Sequence, residues 1–233
     1  MIDKNTYDSV LSRVEKAKKK SKKEQKVEIV AVTKTHPISF VLSAYKLGLR
    51  HIGENRVQEG QKKLEELQKT PLSGLTKRFI GHLQSNKVNK CLNYFDTVDS
   101  VHSFNLAKKI SNRAETLGKT FPVLLEVKTS EEKTKSGFNI KNTEDMLLCS
   151  ELPNIHVRGL MTMAPFTKDK GKKRYSFASL RVLFKELNKI KPQLKMSVLS
   201  MGMSSDFEIA IEEGSTMIRL GTVLFGKRNA LNR

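Results

Sequence analysis

The chain has 233 residues, 38% of them hydrophobic, which is the size and apolar content of one α/β barrel or of two small domains. It contains no apolar run of membrane-spanning length and no N-terminal signal segment, so we expect neither a membrane protein nor a secreted one. The net charge of +19 is spread over lysines without a nucleic-acid-binding motif, which predicts a solvated surface and no nucleic-acid partner. Cys91 and Cys149 match no metal or redox spacing, so we expect buried thiols, no metal site and a cytoplasmic location.

Helical and strand-like patterns alternate along the chain. Apolar residues at helical spacing predict an amphipathic helix over residues 6–20, and a lysine-rich arm follows it to residue 26. Over residues 27–233, eight strand-like runs alternate with helical patterns at the length of βα repeats. This order predicts an α/β fold of the (β/α)8 TIM-barrel type, to which the N-terminal helix is added. No G-x-G-x-x-G or P-loop sequence supports an open nucleotide-binding sheet instead.

The predicted boundaries follow from composition, apolar spacing and turn residues. The strands are expected at residues 29–32, 50–53, 77–82, 94–98, 122–127, 155–160, 196–199 and 216–220. The helices between them are expected at residues 38–47, 56–68, 101–117, 142–149, 175–190 and 205–213. Ser205 and Glu208 form a capping-box signature at the start of the last of these helices. Residues 128–138 are expected to form a polar loop.

One lysine follows the first predicted strand closely. The run Ile29–Val32 has the composition of a strand buried on both faces, and Lys34 comes two residues after it. A lysine between apolar walls is poorly hydrated, which favours the neutral, nucleophilic amine that forms a Schiff base with an aldehyde. From this stretch alone, a lysine that merely leaves the strand for solvent is the more frequent case.

The ends of the seventh and eighth predicted strands have the pattern of a phosphate site. Barrels frequently bind phosphate with the loops after these two strands. Here the seventh strand leads into Ser200, Gly202 and Ser204 before a helix, and the eighth leads into Gly221 and Thr222. Hydroxyl groups, backbone N–H groups and a helix N-terminus favour an anion, although each end alone could be an ordinary turn.

Arg219 lies inside the last predicted strand between two apolar residues. An arginine that faces the inside of a barrel needs an acceptor, because an unpaired buried charge is very costly. A structural carboxylate and a ligand are both open as its partner. Lys34 across the barrel from a phosphate cradle suggests a phosphorylated aldehyde, and pyridoxal 5'-phosphate (PLP) is the obvious member of that class.

Seven stretches of the chain, taken in order, match the motifs of a known family. They are V-A-V-T-K-T-H-P, H-I-G-E-N-R-V-Q-E, F-I-G-H-L-Q-S-N-K, K-S-G-F, R-G-L-M-T-M, S-M-G-M-S-S-D-F and R-L-G-T-V-L-F-G. They resemble the pyridoxal phosphate homeostasis protein family, single-domain barrels related to the N-terminal domain of alanine racemases. The resemblance covers roughly residues 27–228. It implies a fold-type III PLP barrel that holds PLP, limits the free aldehyde and supplies apo-enzymes, without evident catalysis.

The resemblance also implies a set of PLP-binding residues. Lys34 would carry the cofactor as an internal aldimine, Asn55 would lie beside the pyridine ring, and Arg219 would face the pyridine nitrogen. An arginine there disfavours the pyridinium that makes the ring a strong electron sink for carbanion chemistry. The phosphate would be held by the loops after the last two strands, at Ser204, Gly221 and Thr222, with Ser200 and Met201 nearby.

Two further lysines are relevant to the resemblance. Lys128 departs from the family, which more often has asparagine after the fifth strand, so no polar contact is carried over to that position. Lys135, in K-S-G-F, matches a family lysine. We expect it to be an exposed loop residue, and the alternative is a second amine able to meet PLP.

A racemase of the alanine racemase type is the main alternative function. Racemisation requires a second base opposite the lysine, and alanine racemases supply it as a tyrosine from an additional domain. None of the four tyrosines is an evident second base, and the barrel uses up the chain. We therefore favour a non-catalytic PLP carrier that is a monomer or weak dimer, with apo PLP-dependent enzymes as partners. A basic scaffold that binds nucleic acid is a third interpretation.

Overall fold

Strands and helices alternate in the computed structural model, which describes residues 1–21, 23–70, 72–130, 132 and 136–226. The strands are β1 (Glu28–Val32), β2 (His51–Glu54), β3 (Thr76–Phe79), β4 (Thr97–Val101), β5 (Phe121–Lys128), β6 (Phe138–Asn139), β7 (Ile155–Met161), β8 (Val198–Met203) and β9 (Met217–Leu220). The α-helices are α1 (Lys4–Ser21), α2 (Ile38–Lys46), α3 (Val57–Gln68), α4 (Val88–Tyr94), α5 (Phe104–Thr116), α6 (Thr143–Cys149), α7 (Lys170–Ile190), α8 (Phe207–Glu212) and α9 (Thr222–Phe225).

Eight of the strands in the described part of the chain close into a parallel barrel in the order β1, β2, β3, β4, β5, β7, β8 and β9. Pairing of β4 with β5 and of β9 with β1 completes the ring, and it places Val30 beside Arg219. The short strand β6 pairs with the end of β5. The predicted (β/α)8 barrel with an extra N-terminal helix is confirmed, although the predicted polar loop at residues 128–138 ends in strand β6.

Strands β1 and β5 are buried on both faces over most of their length, which explains their mostly apolar sequences. In β1, Val30 and Ala31 are fully buried, although adjacent side chains of a strand point to opposite faces. On the outside, the apolar faces of the helices cover the strands, as Phe177 and Leu180 of α7 do. Strand β1 is therefore fixed on both sides, and the chain leaves it at the carboxyl end of the barrel. None of the helices in the described ranges has both the length and the apolar composition needed to cross a membrane.

Helix α1 includes all the residues of the predicted N-terminal helix, 6–20. It packs against α8 and α9 on the outside of the barrel. Val10 and Val14 of its apolar face are buried. Arg13 reaches across to α8, where its guanidinium lies 2.7 Å from the Glu208 carboxylate and 4.6 Å from the ring centroid of Phe207. The N-terminal helix is thus attached to the barrel by apolar contacts and by the ion pair of Arg13 with Glu208.

The predicted capping box at the start of α8 is wrong. The helix begins at Phe207, and the Asp206 side chain makes no capping hydrogen bond to it. Asp206 Oδ1 instead accepts a hydrogen bond from the Met203 N–H at 2.7 Å, which closes the turn after β8. Because the Glu208 carboxylate is bound by α1, the spacing of Ser205 and Glu208 has no capping role here.

The fourth strand and the start of the seventh helix also differ from the prediction. Residues 94–98 were expected as a strand, but Tyr94 ends α4 and β4 continues to Val101. The buried Asp99 breaks the apolar pattern of β4, because it is paired with Arg78 at 3.0 Å inside the barrel. Helix α7 begins before residue 175, because the Asp169 side chain caps it by accepting two backbone N–H groups.

Candidate functional site

A cavity of about 750 Å³ lies at the carboxyl ends of the barrel strands. Val32, Ile80 and Met163 give it apolar walls. The same cavity is lined by six of the residues that the sequence singles out for PLP binding: Lys34, Asn55, Ser204, Arg219, Gly221 and Thr222. An amine, hydroxyl groups and a guanidinium therefore meet in one concave site with apolar walls, which is the usual composition of a small-molecule site.

Lys34 leaves the end of β1 in a turn that a buried polar network holds. Thr33 is fully buried, and its hydroxyl donates to Glu54 Oε1 at 2.6 Å. Lys63 of α3 donates to the same Glu54 oxygen at 2.5 Å and to the Thr33 carbonyl at 2.8 Å. The Thr35 N–H donates to the carboxylate of Glu59, also on α3. The backbone on both sides of Lys34 is thus bound by α3.

The loops after β8 and β9 are joined by a serine hydroxyl. Ser204 Oγ accepts hydrogen bonds from the backbone N–H groups of Gly221 and Val223, both at 3.2 Å. Thr222 lies between these two donors at the first position of α9 and lines the cavity. Because both N–H groups donate to Ser204 Oγ, the Ser204 hydroxyl hydrogen can be donated elsewhere, and together with the Thr222 hydroxyl it forms a donor pair that suits a phosphate monoester. These residues therefore fit the phosphate of PLP.

Arg219 is held by neutral acceptors below the cavity. Its Nη1 donates to the Ser200 carbonyl at 2.9 Å and to the Ser200 hydroxyl at 2.7 Å, while Nη2 donates to the Thr162 carbonyl at 2.9 Å. Among the described residues, no carboxylate lies within ion-pair distance of it. Burial lowers the pKa of Arg219, and the nearby charges of Asp99 and Glu126 oppose that shift. The guanidinium is therefore fixed by three hydrogen bonds to neutral oxygen atoms, and its positive charge is not neutralised by a carboxylate of the described residues.

Comparisons with known proteins identify the family. The family model described as "Alanine racemase, N-terminal domain" matches residues 6–229. A pyridoxal phosphate homeostasis protein of Aquifex aeolicus is 39% identical over 221 residues, which cover 94% of this chain and 95% of that protein. A pyridoxal phosphate homeostasis protein of Haemophilus influenzae is 35% identical over 216 residues, which cover 91% of this chain and 90% of that protein. The chain belongs to the pyridoxal phosphate homeostasis protein family.

Solved structures agree with this family assignment. PipY of Synechococcus elongatus, solved with PLP bound, superposes with a TM-score of 0.80 at 38% identity, covering 92% of this chain and all of that one. An alanine racemase of Clostridium difficile superposes with a TM-score of 0.77 at 17% identity, covering 99% of this chain and 59% of that one. The second likeness shows a shared barrel fold alone.

Two of the eight predicted site residues do not line the cavity. Ser200 is fully buried in β8, where its hydroxyl and carbonyl hold Arg219. Met201 is fully buried in the apolar layer between strands and helices. Lys128 ends β5 and is half-buried, and Lys135 lies outside the described residues. The structure thus brings six predicted residues together and places Ser200 beneath them as a support for Arg219.

Three charged residues that bind Thr33 and Thr35 beside Lys34 were not predicted from the sequence: Glu54, Glu59 and Lys63. Glu54 is fully buried at the end of β2, and Lys63 is buried among the apolar positions of α3. A lysine on the apolar face of a helix was the available signal, because such a charge needs a buried partner. None of the four tyrosines lines the described wall of the cavity. Tyr94, for example, donates to Glu65 on the outside of the barrel.

We expect Glu126→Gln to change how stability depends on pH. Burial raises the pKa of Glu126 from its ordinary 4.5 to about 7, against the opposing charge of Arg219. The folded chain therefore binds more protons than the unfolded chain between these pH values, so this residue's contribution to stability is lost as pH rises through 7. Relative to the wild type, the variant should gain up to about 3 kcal/mol between pH 4.5 and pH 8.

Urea denaturation of both proteins at four pH values measures this difference. The difference between their unfolding free energies should grow with pH up to about 7 and then stay constant. A difference that is the same at pH 5 and pH 8 would show that Glu126 has an ordinary pKa in the folded protein.

Proposed function

We propose that this protein holds PLP as a Schiff base on Lys34 and takes part in intracellular PLP (vitamin B6) homeostasis, without catalysing a reaction. One observation carries the proposal: the Lys34 amine and the hydroxyl groups of Ser204 and Thr222 line the same cavity of about 750 Å³. Membership in a family of PLP homeostasis proteins, with a relative solved with PLP bound, supports the same ligand.

Each part of the cavity would have its own role in binding. The Lys34 amine would form the covalent bond, and the Ser204 and Thr222 hydroxyl groups would hold the phosphate. Asn55 would lie beside the ring, and Arg219 would face the ring nitrogen. Bound PLP supplies a reactive aldehyde and an electron-withdrawing ring. Because Arg219 is held by Ser200 and Thr162, it would keep a positive charge there and oppose protonation of that nitrogen.

A carrier is favoured over a racemase by the residues of the cavity. Racemisation needs a proton donor and acceptor on the face opposite the lysine. The described wall of the cavity contains no tyrosine, and Arg219 is fixed by neutral acceptors rather than by a group that would relay protons. In this proposal the partners are PLP and apo PLP-dependent enzymes, and the buried free thiols of Cys91 and Cys149 suit a reducing cytoplasm. Incubation of the PLP-loaded protein with L-alanine should form no D-alanine.

The visible absorption spectrum of the purified protein, before and after borohydride, tests the proposal. A band from bound PLP should disappear on reduction, and peptide mapping should then place the reduced adduct on Lys34. A protein that takes up no added PLP would contradict the proposed function. An adduct spread over surface lysines, with none concentrated on Lys34, would contradict the assigned site.

Thr222→Ala is expected to weaken PLP binding by about 1–3 kcal/mol, the range for one hydrogen bond to a charged group. The threonine hydroxyl lines the cavity next to the N–H groups of Gly221 and Val223. Titration with PLP, followed by absorbance, gives the dissociation constant. Thr70→Ala, at an exposed position after α3, is the matched control and should bind as the wild type does. Equal affinity of Thr222→Ala and the wild type would remove this hydroxyl from the phosphate site.

A further inference from the structure

The residue after Lys34 has an unusual backbone conformation. Thr35 has a φ of +65°, in the left-handed region that β-branched residues rarely adopt. Among the described residues, Lys195 is the only other non-glycine residue with a positive φ. Such a conformation persists only where surrounding contacts enforce it. Thr35 follows Lys34 directly, so contacts that hold this conformation also fix the peptide group on the carboxyl side of the lysine.

The contacts that enforce this turn come from one face of α3. Glu59 accepts the Thr35 N–H, and Lys63, one helical turn later, lies 3.6 Å from the Glu59 carboxylate. Lys63 also donates to the Thr33 carbonyl at 2.8 Å. The two charged side chains therefore bind the backbone on either side of Lys34, one at an N–H group and the other at a carbonyl. A charged acceptor makes the bond to Thr35 stronger than a neutral acceptor would.

A network that served packing alone would not need this arrangement. Burying charges costs desolvation free energy, and apolar side chains of similar volume often stabilise a core equally well. Here the charges of Glu59 and Lys63 are directed at the two peptide groups that flank Lys34. The side chain of Lys63 is 6% exposed and that of Glu59 is 27% exposed, so both contacts are largely shielded from water. The geometry is that of a support for the lysine.

We propose that Glu59, fixed by Lys63, is a positioning residue that holds the left-handed turn at Thr35 and so directs the Lys34 amine into the cavity. This inference rests on the proposed function, because it concerns the same bond to PLP. Glu59 itself does not line the cavity, so it acts through Thr35 rather than by touching the cofactor.

The first experiment compares PLP affinity and thermal stability in three variants. Glu59→Ala should lower the PLP affinity about tenfold or more, the equivalent of losing one charge-assisted hydrogen bond. Glu59→Gln should stay within about threefold of the wild type, because its amide oxygen still accepts the Thr35 N–H. Glu66→Ala, at an exposed position of the same helix, should bind PLP as the wild type does. Unfolding of the PLP-free proteins separates loss of affinity from loss of fold.

A second experiment tests whether Glu59 acts through the turn. Thr35→Gly removes the steric cost of the left-handed conformation, so Glu59 should matter less in that background. We expect Glu59→Ala to weaken PLP binding by about threefold or less when Thr35→Gly is also present. An equal loss in both backgrounds would overturn the inference, and so would a Glu59→Ala protein that binds PLP as tightly as the wild type.

These outcomes are distinct from failure of the proposed function. If the wild type forms the reducible adduct on Lys34 and Glu59→Ala binds PLP equally well, only the positioning role of Glu59 is wrong. If the wild type forms no adduct on Lys34, the proposed function itself is wrong. If Glu59→Ala fails to fold, the comparison of Glu59→Gln with Thr35→Gly/Glu59→Ala still decides the role of Glu59.

Discussion

Lys34→Ala is expected to abolish the borohydride-reducible PLP adduct while leaving the barrel folded. An amine is required for the bond, and the Lys34 side chain lines the cavity rather than the apolar core. The backbone contacts that hold the turn are made by Thr33 and Thr35, so they remain after truncation of the lysine. Intact mass after reduction measures the adduct, and circular dichroism measures the fold.

Two companion variants define the role of the amine. Lys34→Arg keeps a positive charge that attracts the phosphate but removes the primary amine, so it should bind PLP weakly and form no reducible adduct. Lys128→Ala changes another lysine at the carboxyl end of the barrel and should keep the full adduct. A stoichiometric adduct in Lys34→Ala, mapped to Lys128 or Lys135, would show that the covalent bond forms elsewhere.

Lys63→Met is expected to lower the free energy of unfolding by about 3–5 kcal/mol, the usual cost of breaking a buried ion pair. Glu54 is fully buried, its Oε2 has no hydrogen-bond partner among the described residues, and Lys63 supplies the neighbouring positive charge at 2.5 Å. Burial raises the pKa of Glu54, while Lys63 and the Thr33 hydroxyl oppose that shift. Without the lysine, the carboxylate must be buried unpaired or take up a proton.

Urea denaturation at pH 7 measures this cost. Lys62→Met, at the exposed neighbouring position of α3, is the control and should change stability by less than about 0.5 kcal/mol. Adding Glu54→Gln to Lys63→Met should restore about half of the loss or more, because no unpaired charge remains. The loss should also shrink as pH falls, since a carboxyl with a raised pKa is stable when protonated. A nearly neutral Lys63→Met would show that Glu54 does not depend on the lysine.

The barrel was predictable because its signals are local. Each strand of a parallel barrel is covered on both faces, so runs such as Ile29–Val32 are apolar throughout. The prediction failed at β4, where the buried Asp99 is neutralised by Arg78, which is 21 residues away along the chain. It failed again at the start of α8, where Glu208 pairs with Arg13 instead of capping its own helix. In both cases the difference comes from an ion pair with a residue far along the chain, which local sequence patterns do not predict.

In the candidate site, too, the features that depend on local sequence were predicted and those that depend on distant contacts were not. The sequence placed Lys34 at the end of the first strand and Gly221 with Thr222 at the end of the last, and all three line the cavity. It did not reveal that Met201 points into the apolar layer. Nor did it reveal that Glu54, Glu59 and Lys63 bind the residues on either side of the lysine. A side chain's face depends on strand register, which the bulge between β8 and β9 alters.

The amino-acid sequence determined the alternation of strands and helices and the place of Lys34 at a strand end, because both depend on residues close together in the chain. Only the tertiary structure decided which polar groups meet. Closure of the barrel pairs β1 with β9, and this brings Lys34 to the loops of Ser204 and Gly221. The packing of α3 against the barrel brings Glu59 to the Thr35 N–H in the turn after β1, a contact between residues 24 positions apart that no local pattern predicts.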